Sequence, residues 1–156
     1  MKNTTLCYIE KDEKYLMLHR TKKENDHNKD KWLGVGGKFE EKESPEECAI
    51  REIYEETGLI TDEYCYRGIV TFVSNQYETE IMHLFTVPKF HGDVIECNEG
   101  DLEWVAKTDV FNLHAWEGDK IFLNLIFCDA PFFSLKLEYD NDKLILAVLN
   151  GKKFDI

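Results

Sequence analysis

Residues 37–59 read GKFEEKESPEECAIREIYEETGL, and this stretch decides the fold. Ser44 is followed by proline and, three residues further on, by Glu47, which is the pattern of a capping box with proline at the first helical position. Gly58 is a residue that typically ends a helix, because glycine adopts a positive φ without strain. The stretch therefore predicts a helix over residues 45–57.

This predicted helix has two contrasting faces. A rotation of 100° per residue gathers glutamates on one side and larger apolar residues on the other. The acidic face comprises Glu52, Glu55 and Glu56, and the face that we expect to be buried comprises Ile50, Ile53, Tyr54 and Thr57. Carboxylates three and four residues apart repel one another, and Arg51 is the only base within the helix. A hard divalent cation such as Mg²⁺ would supply the missing positive charge.

The spacing of the defining residues also matches a known motif. These residues are Gly37, Glu43, Arg51-Glu52-Ile53, Glu55-Glu56 and Gly58-Leu59. The pattern resembles the signature of the Nudix hydrolase family, with every defining position filled. The resemblance implies an α/β fold in which a mixed β-sheet is packed between helices as an α/β/α sandwich. We expect residues 1–156 to form a single Nudix domain, which their length allows.

The Nudix resemblance also implies roles for the acidic residues. The expected metal ligands are Glu52, Glu55, Glu56 and the backbone oxygen of Gly37. The expected cofactor is Mg²⁺, with Mn²⁺ as a substitute. Arg51 is expected to belong to the catalytic apparatus by pairing with Glu43, since this ion pair would hold the loop against the helix without touching the substrate.

The general base is left open by the sequence. Within the signature, either Glu52 or Glu56 is a candidate for deprotonating water. Outside it, the segment over residues 96–105 (ECNEGDLEWV) brings carboxylates up to an apolar strand and supplies Glu99 and Glu103, of which we favour Glu99. For these last two residues, an ordinary surface carboxylate is an equal alternative.

Apolar and polar residues predict further elements around the acidic helix. The predicted strands span residues 4–9, 15–18, 64–74, 80–87, 133–139 and 143–148, and a second helix runs from Glu117 to about Phe127. Pro88 interrupts the pattern of the fourth strand. The glycines among residues 34–37 suit a backbone that approaches another group closely. In the polar loop over residues 21–31, we expect His27 to be exposed to solvent.

Composition narrows the function classes. The net charge of −12 at pH 7 argues against a general nucleic-acid or membrane-surface binder, although a nucleotide bound through metal ions is compatible with it. The five cysteines contain no CxxC pair, which disfavours zinc and favours reduced, mostly buried thiols. The N-terminus has no long apolar run, so we expect no signal peptide and no membrane span, and a cytoplasmic location by default.

Within the Nudix family, the chain resembles the MutT-like branch that hydrolyses oxidised purine nucleoside triphosphates. The residues of the resemblance are Lys31-Trp32, Gly36-Gly37-Lys38, Leu102-Glu103-Trp104, Trp116 and Asp119. It implies that Trp116 stacks on the base, that Asp119 accepts a hydrogen bond from its edge, and that Lys38 contributes to substrate binding. Alternatively, Trp116 is a core residue and Asp119 an acid at a helix N-terminus. Leu33 departs from the branch, because a leucine cannot read a base edge where vertebrate members have asparagine.

Three functions follow from these resemblances. The leading one is a Mg²⁺-dependent hydrolase that converts nucleoside triphosphates, with 8-oxo-dGTP as the named example, to monophosphate and pyrophosphate. The second is a Nudix hydrolase of ADP-ribose, a nucleotide sugar or a dinucleoside polyphosphate. The third is a nucleotide-sensing regulator without turnover, which degenerate signature glutamates would favour; here they are intact.

Overall fold

The computed structural model describes residues 1–156 as nine strands and two helices, with short connections. The strands are β1 (Lys2–Lys11), β2 (Lys14–Arg20), β3 (Trp32–Leu33), β4 (Ile60–Ser74), β5 (Glu80–His91), β6 (Gly100–Ala106), β7 (Phe133–Asp140), β8 (Lys143–Leu149) and β9 (Lys152–Phe154). The helices are α1 (Pro45–Thr57) and α2 (Asp119–Phe127), and a 3₁₀ turn spans Val110–Asn112. The final hairpin, β7 and β8, lies where the sequence predicts it.

All strands belong to one mixed sheet. Its order is β3-β2-β1-β5-β4-β7-β8-β9, with β6 paired to β2 outside this path. The pairs β1–β5 and β4–β7 are parallel, and the other pairs are antiparallel. β2 pairs with β1 only next to their connecting turn and then pairs along its whole length with β6. The predicted mixed sheet is therefore confirmed.

Each face of the sheet packs against one helix. Neighbouring residues of β1 show why: Tyr8 belongs to the hydrophobic cluster that includes Phe122 of α2, whereas Cys7 belongs to the cluster that includes Ala49 and Ile53 of α1. Successive side chains of a strand point to opposite faces, so one strand contributes to both clusters. The arrangement is the predicted α/β/α sandwich, which is confirmed.

Helix α1 begins and ends as the sequence predicts. The Ser44 hydroxyl accepts a hydrogen bond from the Glu47 N–H at 3.1 Å, and the Glu47 carboxylate accepts one from the Ser44 N–H at 2.9 Å. This reciprocal pair satisfies two backbone donors that the first helical turn leaves free. At the other end, Gly58 has a φ of 80°, the left-handed conformation that glycine tolerates.

The predicted buried face of α1 is partly wrong. Ile50 and Tyr54 are exposed, and Glu56 from the predicted solvent face is buried. The residues of α1 that the structure buries are Cys48, Ala49, Ile53, Glu56 and Thr57. Ala49, Ile53 and Glu56 follow the spacing i, i+4, i+7, so the side of the helix that carries them is buried, and the side with Ile50 and Tyr54 is not.

Other boundaries also differ from the predicted ones. β4 begins at Ile60 instead of residue 64, and α2 begins at Asp119 instead of Glu117. β5 continues through Pro88 to His91. The parallel ladder from β1 ends at Val87, and the β4–β5 register is irregular at this point, so Pro88 lies where its missing N–H disrupts no regular pairing.

The cysteines and the helix lengths bear on the expectations from composition. Cys7, Cys48 and Cys97 are buried, Cys65 and Cys128 are exposed, and none forms a disulfide. Buried free thiols therefore predominate, as predicted. Neither helix is both long enough and apolar enough to cross a bilayer.

Candidate active site

A glycine-rich loop brings α1 against the sheet. Val35 exchanges backbone hydrogen bonds with Cys7 of β1 at 2.6 and 2.9 Å. On Gly36, a Cβ atom would lie 1.9 Å from the Thr5 carbonyl oxygen, and on Gly37 it would lie 2.5 Å from the Glu52 carboxyl carbon. The Gly36 approach is to backbone atoms and only glycine permits it, so Gly36 lets the loop pack directly against β1, while Gly37 leaves room for the Glu52 carboxylate.

Arg51 is the centre of the acidic cluster. Its guanidinium donates to both carboxylate oxygens of Glu43, at 2.6 and 2.9 Å, and to the Lys38 carbonyl oxygen at 3.0 Å. Its Nη1 also donates to Glu52 at 2.7 Å and to Glu55 at 3.1 Å. The ion pair with Glu43 therefore lies where the sequence expects it, and it joins the loop to the helix.

Charge in this cluster is unevenly compensated. The Arg51 hydrogen bonds hold the pKa of Glu43 at about 2, and the same contacts raise the pKa of Arg51. In contrast, partial burial raises the pKa of Glu52, although Arg51 opposes the shift. One guanidinium thus stabilises the charge of Glu43 but does not fully neutralise the glutamates beside it.

Glu56 is the most buried carboxylate of the helix, with 8% of its surface exposed. Its Oε2 accepts a hydrogen bond from the Gly36 N–H at 3.0 Å. Burial raises its pKa well above the ordinary value, and the neighbouring carboxylate of Glu99 raises it further. The structure therefore brings Glu99 to the signature helix. Two carboxylates in contact need either a shared proton or a cation between them.

The other candidate from the same segment lies elsewhere. Glu103 is exposed on β6, where it pairs with Met17 of β2. Glu99 precedes β6 and contacts Arg20, whose Nη1 lies 3.1 Å from the Glu99 Oε2. Of the two carboxylates, only Glu99 reaches the cluster on α1.

The donors around α1 suit a divalent cation chemically. Carboxylate and carbonyl oxygens are the ligands that Mg²⁺ and Mn²⁺ prefer. In the arrangement described here, Glu52 and Glu55 bind Arg51, and no three acidic, histidine or cysteine side chains already converge on one metal position. The Gly37 carbonyl oxygen accepts the Thr5 N–H at 2.9 Å, whereas no hydrogen bond reaches the carbonyl of Gly36. The backbone oxygen of Gly36 is thus less engaged than that of Gly37.

A cleft of about 620 Å³, including its open mouth, extends from this cluster along the sheet. Its lining includes the glycines at one end and an aromatic ring and a carboxylate at the other: Gly36, Gly37, Leu33, Phe72, Met82, Trp116 and Asp119. Gly36 donates a hydrogen bond to Glu56 and Gly37 lies against Glu52, so the cleft borders the acidic helix through these two glycines.

Trp116 and Asp119 both line the cleft, as a role in substrate binding requires. Trp116 is 5% exposed, packs edge-to-face with Phe72 and Tyr139, and has the Lys31 ammonium 4.5 Å from its ring centroid. It is therefore both a core residue and part of the cleft wall. Asp119 occupies the first turn of α2, and it is 5% exposed. Burial raises its pKa to about 8, although Lys31 opposes the shift.

The remaining expected substrate residues are less enclosed. Leu33 lines the cleft, whereas the side chain of Lys38 is exposed and does not line it. The prediction that His27 is an exposed loop residue is wrong, since His27 is half-buried, lines the cleft and packs against Tyr77 at 4.7 Å.

Sequence reasoning missed other residues of the cleft wall. Asn28 accepts a hydrogen bond from the Trp116 indole N–H at 2.7 Å, and Arg20 and Glu80 also line the cleft. The loop over residues 21–31 has no periodicity that would reveal which of its side chains turn inward. The only sequence signal for the other two is their position relative to the predicted strands: Glu80 begins the strand over residues 80–87, and Arg20 lies just beyond the strand over residues 15–18.

Comparisons with known proteins agree with this geometry. The family model described as NUDIX domain matches residues 2–125. The uncharacterised Nudix hydrolase YvcI of Bacillus subtilis is 30% identical over 76% of this chain and 75% of its own length. The oxidized purine nucleoside triphosphate hydrolase of Mus musculus is 28% identical over 74% of each chain. The crystal structure of a MutT protein from Bacillus halodurans covers 97% of this chain and 99% of its own, with a TM-score of 0.86 at 23% identity, which shows the shared fold.

The Glu43–Arg51 pair predicts how stability depends on pH. Because the pKa of Glu43 is lowered from 4.5 to about 2 on folding, its contribution is complete above the unfolded value and is lost as the pH falls towards 2. Glu43→Gln should therefore flatten the loss of unfolding free energy between about pH 5 and about pH 3. Urea unfolding across this range measures the effect. Glu41→Gln is the control, because Glu41 is exposed. If the unfolding free energy of Glu43→Gln falls with pH as steeply as that of the wild type, the role of the pair is contradicted.

Proposed function

The chain belongs to the NUDIX domain family, whose members act on pyrophosphate bonds, and on this premise we propose that it is a Mg²⁺-dependent hydrolase of purine nucleoside triphosphates. The products would be the nucleoside monophosphate and pyrophosphate. The observation that carries this proposal is the cleft, whose lining includes Gly36 and Gly37, the glycines that contact Glu56 and Glu52, together with Trp116 and Asp119. A nucleoside triphosphate has an anionic polyphosphate at one end, which a metal-binding helix can hold, and an aromatic base at the other, which can lie against Trp116.

The acidic helix is proposed to hold the cation. Glu52, Glu55 and Glu56 would be the side-chain ligands, and the Gly36 carbonyl, which accepts no hydrogen bond, is more available as a backbone ligand than the predicted one of Gly37, which accepts the Thr5 N–H. A bound Mg²⁺, for which Mn²⁺ can substitute, screens the polyphosphate, orients it and lowers the pKa of a bound water. Glu52 and Glu55 would then leave Arg51, which keeps its two hydrogen bonds to Glu43.

The proton of the attacking water is proposed to go to Glu99. Its side chain is 33% exposed, so water reaches it, whereas Glu56 is buried and hydrogen-bonded to the glycine-rich loop. Glu99 contacts Glu56, and this proximity would place the base within reach of water bound at the helix. Glu56 and Glu52 are then ligands in the first place, although the sequence also allows them as bases.

The base of the nucleotide is proposed to lie against Trp116 and Asp119. Because the pKa of Asp119 is raised to about 8, most of this carboxyl is protonated at neutral pH, and it can both donate and accept a hydrogen bond. That property suits a purine edge with neighbouring donor and acceptor groups. The mouse relative is an oxidized purine nucleoside triphosphate hydrolase, which makes 8-oxo-dGTP the first substrate to test.

Two other functions remain to be separated from this one. Hydrolysis of ADP-ribose, a nucleotide sugar or a dinucleoside polyphosphate would use the same acidic helix, and a nucleotide sensor would bind without turnover. A panel of these nucleotides with Mg²⁺ and identification of the products distinguishes all three. Only cleavage of a triphosphate to a monophosphate releases pyrophosphate. The intact glutamates and their contact with Glu99 favour an enzyme over a sensor.

Glu56→Gln is expected to lower kcat by more than tenfold at saturating Mg²⁺. The substitution removes a ligand charge while keeping the shape of the side chain, so the fold should persist and the reaction barrier should rise by more than about 1.4 kcal/mol. Glu103→Gln is the matched control, because Glu103 lies on the exposed side of β6. Steady-state rates and circular dichroism of both variants are the measurements. Equal rates for the two variants would rule out the assignment of Glu56.

Asp119→Ala is expected to reduce discrimination among purine triphosphates without abolishing hydrolysis. Loss of one partner from a buried hydrogen bond costs on the order of 1–3 kcal/mol, so the ratio of kcat/KM values between 8-oxo-dGTP and dATP should change roughly five- to a hundredfold. Trp116→Phe is the comparison, since stacking tolerates different bases. If Asp119→Ala lowers kcat/KM equally for 8-oxo-dGTP, dGTP and dATP, the base contact lies elsewhere.

A further inference from the structure

The register of β2 and β6 places Glu99 next to Arg20. Arg20 is the last residue of β2, and it pairs with Gly100, the first residue of β6. A Cβ atom on Gly100 would lie 1.8 Å from the His19 carbonyl oxygen, so only glycine allows the two backbones to approach this closely. Glu99 is therefore held next to Arg20 by the sheet, and their side chains meet at 3.1 Å.

A second carboxylate fixes the other side of the Arg20 guanidinium. Its Nε donates to the Asp26 Oδ2 at 2.8 Å, and the Asp26 Oδ1 accepts the Asn28 backbone N–H at 3.1 Å. The Asn28 side chain in turn accepts the Trp116 indole N–H. Arg20 is thus anchored by the loop that also contacts the far end of the cleft.

The ion pair between Arg20 and Asp26 is more buried than the other ion pair of the same loop. The side chains of Arg20 and Asp26 are 13% and 5% exposed. Lys22 joins the same two segments by binding Glu96 and the Cys97 carbonyl oxygen, but the Glu96 side chain is 88% exposed. Solvent weakens the Lys22 pair, whereas the planar guanidinium of Arg20 holds two carboxylates in a fixed geometry.

We propose that Arg20 is a positioning residue that holds the Glu99 carboxylate beside Glu56, with Asp26 fixing the guanidinium. The inference rests on the proposed function of the site, in which Glu99 accepts the proton from water. Without Arg20, the repulsion between the carboxylates of Glu99 and Glu56 is no longer opposed by the guanidinium that lies 3.1 Å from Glu99. Glu99 then turns towards solvent and away from the water that it deprotonates.

Substitution of Arg20 is expected to affect kcat more than KM. Arg20→Ala should lower kcat by about tenfold or more and change KM by less than about threefold, because the residue acts through Glu99. Arg20→Lys should give an intermediate kcat, since an ammonium cannot hold both carboxylates in the same fork. Asp26→Asn should also lower kcat, because Asp26 fixes the guanidinium of Arg20. Lys22→Ala is the matched control, with an expected kcat within about twofold of the wild type.

A double-mutant cycle with Glu99→Gln tests the mechanism. If Arg20 acts through Glu99, its substitution has no further effect on kcat in the Glu99→Gln background. The cycle uses Arg20→Lys in place of Arg20→Ala if circular dichroism shows that the alanine variant is unfolded. Additive effects, or a loss confined to KM, would overturn the proposal, because they are expected if Arg20 contacts the substrate directly.

The choice of substrate separates this proposal from the proposed function. The cycle is measured with whichever nucleotide of the panel the wild-type chain cleaves fastest. A non-additive cycle on a nucleotide other than a purine triphosphate supports the role of Arg20 and overturns the substrate assignment. An additive cycle on a purine triphosphate supports the substrate assignment and overturns the role of Arg20. A wild-type chain that cleaves none of the panel overturns both.

Discussion

The interaction between Arg51 and the carboxylates around it allows the acidic helix to fold. The guanidinium binds Glu43, Glu52 and Glu55, and it also holds the carbonyl oxygen of Lys38. A partly buried group of carboxylates without a base would be destabilised by mutual repulsion and desolvation. With one guanidinium shared among them, the helix folds and still retains excess negative charge. This excess negative charge favours the binding of a divalent cation.

The sheet and its glycines bring distant parts of the chain together around the acidic helix. Glycines at positions 36 and 37 let α1 approach β1, and Gly100 lets β6 approach β2, so Glu56 and Glu99 meet from distant parts of the chain. The cleft borders this region at Gly36, which donates a hydrogen bond to Glu56, and its wall also includes Trp116 and Asp119. The proposed contacts with the polyphosphate and with the base would therefore lie along one cleft.

The sequence predicted well what depends on local signals and poorly what depends on long-range packing. The boundaries of α1 follow from Ser44, Glu47 and Gly58, whose effects are confined to the helix ends. The buried face of the same helix was misjudged at Tyr54 and Glu56, because the sheet and the glycine-rich loop decide which side faces inward. The inward-facing side chains of the 21–31 loop had no sequence signal at all, since hydrogen bonds to partners far along the chain position them.

The most direct test of this account is whether the acidic helix binds a divalent cation. The melting temperature is measured as Mg²⁺ is added at constant ionic strength, in the wild type and in the double variant Glu52→Gln/Glu56→Gln. A ligand that binds only the folded state adds about 2.7 kcal/mol of stability at a hundred times its Kd, so the wild-type Tm should rise with Mg²⁺. The double variant should show little or no rise. An equal rise in both proteins, or none in the wild type, would contradict the account.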